Sequence, residues 1–370
     1  MKRIIQLVPG LPPMLNGVGD FSLVLARTLR EVFDVTTHFA VCSPVWDGPG
    51  DVEGFAVTPM RRRDAQSVAS QLDRIASQEG AHVTLVQLSP YGFDRNGAPL
   101  WLSHALRQWK RTTTRRSAVT YFHELFAMSA PWRKGFWLTP LQRLATARVA
   151  RVSERLVTNR SRSAQWLARA APASGCAVNV LPVLSGVGEP QYLPSTRARN
   201  LVLWGSGAMK TTLYARYAAL LGTLVGKLGI GSVVDVGSGS AARPKAIGAA
   251  AVNAIGIAAP AQISEVLGNS LLGVVGYPPA MLGKSSIFAA FAAHRLPALV
   301  LDSRDAPHVL PDGLTQGTHL LTREDAADVS LDSLASIGRA AQAWYAEHDA
   351  HRHASLIAQL VKDLAPEKSR

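Results

Sequence analysis

The feature that most constrains this chain is a unit met at its start and again near its middle: an apolar run, a glycine turn, then an amphipathic stretch. IIQLV at residues 4–8 is followed by the turn-rich PGLPPMLNGVGD and by FSLVLARTLREVF. The short apolar run suits a strand covered on both faces, and the 3.6-residue period after it suits a helix packed on that strand. A strand followed by a helix returns the chain to start a parallel neighbour, so the pattern specifies an α/β sheet. Further strands are expected at VTTHFAV, HVTLVQLS, AVTYF and RLVTN, with helices at DAQSVASQLDRIASQ and LWLSHALRQWKR.

The stretch VNVLPVLSGVGEPQYLPSTRARN gathers Gly, Pro and polar residues and interrupts the pattern. It then restarts with NLVLWGSG, TTLYARYAALLGTLVGKLG, SVVDVG, LLGVVGY and PALVLD. Two α/β domains of similar size are therefore expected, at 1–182 and 183–345, followed by a terminal helix at 346–364. A length of 370 residues is ample for two cores.

Lys and Arg number 39 against 26 Asp and Glu, a formal charge of +13. Residues 1–185 hold 23 basic and 12 acidic side chains, a balance of +11, while residues 186–370 hold 16 and 14, a balance of +2. The excess lies in the first domain, where it either coats a solvated face or meets an anionic partner. Arg61, Arg62, Arg63, Arg115 and Arg116 could contact nucleic-acid phosphates, but no helix-turn-helix, zinc finger or aromatic RNA-binding signature accompanies them. Only Cys42 and Cys176 are present, which rules out a disulfide scaffold. The start MKRIIQLVPGLPP lacks a secretory signal's apolar region, and no stretch approaches the length of a spanning helix. A cytoplasmic location is expected.

Three motifs fall at the ends of expected strands, where open α/β sheets bind ligands. In the first loop, Gly17 and Gly19 let backbone approach a ligand beside the free amides of a helix start, and Asp20 either caps that helix or meets the ligand. After AVTYF come His123 and Glu124, an imidazole able to titrate near neutral pH and a carboxylate able to bind hydroxyls or orient it. A strand-edge cap and a helix start are the structural alternatives for this pair. After LLGVVGY come Lys284, Ser285 and Ser286, a cation and two hydroxyls at a helix start suited to a phosphate or to simple capping. Six residues separate Gly276 from Gly283 where a P-loop has four, so a nucleoside-triphosphatase loop fails on spacing. Asp235, Gly237 and Gly239 resemble a methyltransferase loop, but no acidic residue occurs before Glu265 to hold ribose hydroxyls. His348, His351 and His353 lie close in sequence without a cysteine and are expected to form a solvated or helix-ending patch, with no metal.

With these residues laid out, the chain resembles the retaining, nucleotide-sugar-dependent glycosyltransferases of the GT-B class, especially the group that includes sucrose synthase and bacterial mannosyl- and glucosyltransferases. The resemblance rests on the loop Asn16 to Asp20, on His123, on the linker entry Val180 to Gly188 and on the closing helix. It implies two Rossmann-like domains facing each other across a cleft, and transfer of a sugar from a UDP- or GDP-sugar, with no cofactor or metal, to a polysaccharide or lipid-linked acceptor. Catalytic roles fall to His123, Glu124 and Asp20, and donor-binding roles to Gly17, Gly19, Gly205, Lys210, Lys284, Ser285 and Ser286. The chain departs from the family pattern in two places. Relatives carry an Arg five residues before the lysine that matches Lys210, whereas this chain has Gly205; they also carry two glutamates, where this chain has Lys284 to Ser286 and Ala290. A noncatalytic GT-B-like binding protein is the alternative. The basic first domain is expected on the acceptor side, with Trp132, Arg133, Lys134 and Trp137 as contacts to an anionic membrane surface or as an ordinary loop and helix start.

Overall fold

The computed structural model describes residues 2–14, 16–127, 132, 134–172, 177–301, 310 and 313–364. The chain divides into two compact units, Met1–Pro182 with His353–Arg370, and Val183–Arg352.

The first unit opens with β1 (Lys2–Val8), α1 (Gly17–Phe33), β2 (Val35–Val41), β3 (Asp51–Val52), β4 (Phe55–Pro59) and α2 (Ala65–Glu79). It continues with β5 (Val83–Leu88), α3 (Pro90–Phe93), α4 (Leu100–Arg111), β6 (Ser117–Phe122), α5 (Lys134–Val152), β7 (Arg155–Thr158), α6 (Ser161–Ala170) and β8 (Asn179–Val180). Strand order is β3-β4-β2-β1-β5-β6-β7-β8, parallel except for the β3–β4 edge pair. The order reverses beside β1, so β1 and β5 flank a topological switch point. Side chains alternate across the strands and build two cores. Ile5, Leu7, Val86, Leu88 and Phe122 pack with α2, α4, α5 and α6, whereas Val8, Phe39, Val41 and Val57 pack with Leu23 and Ala26 of α1.

The second unit comprises β9 (Asn200–Trp204), α7 (Gly207–Leu228), β10 (Ser232–Val236), β11 (Ala246–Ile247), β12 (Ala250–Gly256), α8 (Pro260–Asn269), β13 (Leu272–Gly276), α9 (Ser286–Ala293), β14 (Ala298–Leu301) and α10 (Leu331–Ala346). α11 (Ala350–Asp363) closes the chain, and from His353 onward it belongs to the first unit. The strand order β11-β12-β10-β9-β13-β14 places a second switch point between β9 and β13. Leu203, Leu213, Tyr217, Leu221, Val274 and Leu299 are among its core residues.

Strands β3, β4, β11 and β12 were not legible in the sequence. AAVNAIG, the sequence of β12, has small and polar side chains with an exposure pattern that does not alternate, so neither β-propensity nor period 2 marks it. No helix among the described residues is long and apolar enough to cross a membrane.

Candidate active site

The first unit brings the opening loop and His123 together at the C-terminal edge of its sheet. Asn16 caps α1, its side-chain oxygen accepting from the backbone N–H groups of Val18 and Gly19 at 3.0 Å each. The capping alternative for Asp20 does not hold, since Asp20 lies in the first turn. Gly19 is required because a Cβ there would run into the carbonyl oxygen of Gly10, whereas one at Gly17 would meet open space. Asp20 is half-buried, and that burial pushes its carboxyl up to about 6, with Arg27 opposing the shift. Its neighbour Phe21 meets the His123 ring edge-on at 4.7 Å between centroids.

His123 follows β6, is buried and stacks on Tyr121 at 4.4 Å. Its backbone N–H donates to Leu88 and its carbonyl accepts from Asn159. A buried hydrogen-bond chain fixes its ring. Gln6 on β1 donates to Thr37 on β2 at 3.2 Å, Gln87 on β5 donates to the Gln6 side-chain oxygen at 2.9 Å, and the Gln87 oxygen lies 2.9 Å from His123 Nε2. Because that oxygen can only accept, Nε2 carries the proton and Nδ1 keeps the lone pair. Burial lowers the imidazole to about 3, with His353 of α11 contributing. The expectation that His123 titrates near neutral pH is corrected: it is a neutral, oriented imidazole. Glu124 is half-buried, and its backbone N–H also donates to Leu88.

Gln6 and Gln87 were missed as site residues, although each interrupts an apolar strand sequence. They lie on the α1 face by the same alternation that turns Ile5, Leu7, Val86 and Leu88 to the other side. Phe21 and His353 were missed as well. The histidines near the C-terminus do not form a solvated patch, because His348 is buried against Trp344 and His353 against Phe21 and Tyr121, leaving His351 exposed. No group of three His, Cys, Asp or Glu among the described residues could hold a metal ion.

In the second unit the loops after β9 and β13 flank the switch point. Ser206 caps α7, and the Gly207 N–H donates to Ser238 Oγ at 2.8 Å. A Cβ on Gly207 would strike the Gly239 carbonyl oxygen, and one on Gly205 would strike the Met209 side chain. Lys210 departs from expectation. It is fully buried, its ammonium pairs with Asp235 and donates to the Val236 carbonyl at 3.1 Å, and Tyr214 donates to the other Asp235 oxygen at 2.6 Å. The lysine therefore neutralises a core carboxylate rather than facing a diphosphate, and the Asp235 of the methyltransferase-like loop is consumed in the same way. Ser285 is buried as the cap of α9, accepting from the Phe288 N–H at 3.2 Å, so the capping alternative describes it. Lys284 and Ser286 remain half-buried at this edge. Trp132 and Trp137 are 83% and 75% exposed, while Arg133 lies outside the described residues.

No protein-family model and no curated protein matches the chain. Its shape matches solved structures at low identity. A glycosyltransferase from Rickettsia africae aligns at TM-score 0.62 and 10% identity, covering 99% of this chain and 100% of that one. A proposed UDP-N-acetylglucosamine 2-epimerase from Listeria monocytogenes aligns at 0.61 and 13%, covering 98% and 96%. An alpha-glucosyltransferase in complex with UDP aligns at 0.59 and 11%, covering 98% and 100%. The two sheets, parallel but for the edge pairs β3–β4 and β11–β12 and each wound by helices about its own switch point, give this chain the α/β fold of the GT-B kind, with two Rossmann-like units.

Proposed function

We propose that the chain is a glycosyltransferase that moves a hexosyl group from a UDP- or GDP-sugar to a hydroxyl of a polysaccharide or lipid-linked acceptor. The observation that carries this reading is the β1–β5 switch-point site. There a neutral, orientation-locked His123 adjoins the helix start bearing Asp20, within a fold shared with a glucosyltransferase that binds UDP. The donor diphosphate is assigned to the second unit, at Lys284, Ser286 and the backbone around Gly205, and the acceptor to the first. In the reaction the bond from the anomeric carbon to the phosphate oxygen breaks, and its electron pair goes to the diphosphate. The acceptor oxygen bonds to that carbon. Cations and backbone amides stabilise the charge that grows on the leaving group, so the reading calls on no metal or cofactor. His123 Nδ1 accepts a hydrogen bond from a sugar hydroxyl and helps orient it, with Glu124 as a further hydroxyl contact.

The family resemblance implies retention, in which the departing diphosphate takes the acceptor proton. Asp20 supports a second stereochemical reading, since a carboxyl near pH 6 can take that proton itself in a single displacement with inversion. The anomeric proton coupling of the product, measured by NMR, distinguishes the two.

A lipid-linked acceptor is favoured by α5, where Phe136, Trp137, Leu141 and Leu144 are exposed and Arg143, Arg148 and Arg151 occur without any acidic residue. On this reading the protein acts in polysaccharide biosynthesis at the cytoplasmic membrane surface. Trp137→Ala with Leu141→Ser should weaken sedimentation with phosphatidylglycerol vesicles, and unchanged sedimentation rejects the membrane assignment. The alternative is a noncatalytic protein that binds nucleotide or glycan; it draws on the buried Lys210 and the two absent glutamates. A panel of nucleotide sugars tested by thermal shift, followed by hydrolysis and transfer assays on each binder, decides between them. Binding with turnover supports the enzyme, binding without turnover supports the alternative, and absence of any binding rejects both.

A further inference from the structure

The first unit also contains an arginine-lined cavity that the reaction above does not use. It is an open space of about 1180 Å³ where the chain leaves β4 and enters α2, and Arg61, Arg62 and Arg74 line it. Arg61 and Arg62 are exposed, and Arg62 lies close enough to Asp64 to help hold that carboxyl in its charged form. Arg74 is held by Gln71, which accepts from its Nε and one terminal nitrogen at 3.1 and 2.8 Å. Arg63, between these residues in sequence, turns away to donate to the Cys42 carbonyl at 2.8 Å. The acidic residue of the lining is Asp64, and one of its oxygens already caps α2 by accepting from the Ser67 N–H at 2.8 Å. Three guanidiniums against one carboxylate leave the cavity with a net positive charge.

Its position gives the charge a use. β4, β2, β1, β5 and β6 run parallel, so the Arg61–Arg62 loop opens on the same sheet edge as Asp20 and His123. Neighbouring strands are about 4.8 Å apart, which puts the end of β4 roughly 10 Å from the end of β1 and roughly 19 Å from the end of β6, with α2 and Arg74 on the face of the sheet opposite α1. The lining has no aromatic side chain on which a base could stack, and Ser70, Gln66 and Thr58 supply hydroxyl and amide groups instead. A concave wall of guanidiniums, hydroxyls and amides matches an acidic sugar chain better than a nucleic acid or a lipid surface.

We propose that Arg61, Arg62 and Arg74 form an anion subsite that holds a carboxylate or phosphate group of the acceptor glycan, several sugar units from the hydroxyl that is glycosylated. This inference rests on the glycosyltransferase reading only in naming the bound glycan as an acceptor. The test is calorimetry on the full chain with tetragalacturonate, its methyl ester and inorganic phosphate, for the wild type and for Arg61→Ala/Arg62→Ala, with UDP titrated separately. The wild type should bind tetragalacturonate and not the uncharged ester. The double variant should lose at least tenfold in that affinity while keeping its melting temperature and its affinity for UDP, and Arg61→Glu/Arg62→Glu should abolish binding. Tighter binding of tetragalacturonate than of inorganic phosphate assigns the group to a carboxylate, and the reverse order assigns it to a phosphate; either order supports the subsite if the double variant loses it. Equal affinity in wild type and double variant, equal binding of acid and ester, or no binding of either anion overturns the proposal. UDP binding with sugar transfer but no binding of either anion would reject the subsite alone. Oligoanion binding without binding of any nucleotide sugar in the panel would reject the transferase reading alone.

Discussion

The buried His123 makes a quantitative prediction about acid stability. Its imidazole is lowered to about 3 in the folded chain, chiefly by burial, against about 6.5 when unfolded. The unfolded state therefore takes up the proton first as pH falls. Stability from the neutral, buried ring is fully present above about pH 6.5 and is lost as pH drops toward 3. For one such group, the loss between pH 7 and pH 5 is about 2 kcal/mol, and it reaches about 4 kcal/mol by pH 3. His123→Gln keeps a side-chain N–H for the Gln87 oxygen and removes the titration. The variant should therefore lose about 2 kcal/mol less than the wild type between pH 7 and pH 5. Urea unfolding followed by tryptophan fluorescence suits the measurement, because Trp46, Trp101, Trp109, Trp132, Trp137 and Trp166 all lie in the first unit. His294, lowered to about 4 mainly by burial, is common to both proteins and cancels in the difference. Equal losses in the two proteins would mean that His123 takes up its proton without unfolding, and the neutral-imidazole argument would fail.

Gln87→Leu strands the His123 Nε2–H and the Gln6 side-chain oxygen. It should cost about 1–3 kcal/mol for each group, measured by urea unfolding, and lower turnover more than it alters nucleotide affinity. Lys210→Met leaves the Asp235 carboxylate buried with Tyr214 alone and should cost about 3–5 kcal/mol, whereas Lys210→Met/Asp235→Leu should recover most of that loss. Nucleoside diphosphate affinity unchanged in the double variant would establish the structural role of Lys210, and a marked loss would restore it to the donor site. Lys284→Ala should weaken UDP binding about ten- to several-hundred-fold by calorimetry, well beyond Lys227→Ala at the exposed end of α7. Asp20→Asn should lower kcat/KM by about 10²–10⁴, and wild-type kcat/KM should fall as pH drops below about 6, where a base at Asp20 becomes protonated. A flat pH profile removes Asp20 from proton transfer.

The amino-acid sequence determined the α/β alternation, the strands carrying apolar runs and the placement of Gly17 to Asp20, His123 and Lys284 after strands, because these depend on residues close together along the chain. Tertiary structure decided what each side chain meets. Lys210 is one turn from Tyr214 on α7, and nothing local distinguishes a phosphate-facing lysine from one that α7 packing turns onto Asp235, 25 residues away. Gln6 and Gln87 are 81 residues apart and become partners only because β1 and β5 are adjacent in the sheet. The same adjacency buries His123 against Gln87 and Phe21, so a side chain that titrates near neutrality in water stays neutral here. Arg61 and Arg62 read as a charge run in sequence, and Arg74 lies a helical stretch away; packing of α2 beside β4 gathers the three around one cavity. Hydrophobic period records how deeply a residue is buried, which is a local property of its element. Hydrogen-bond partners, charge state and cavity walls arise from contacts across strands, which only the order of the sheet specifies.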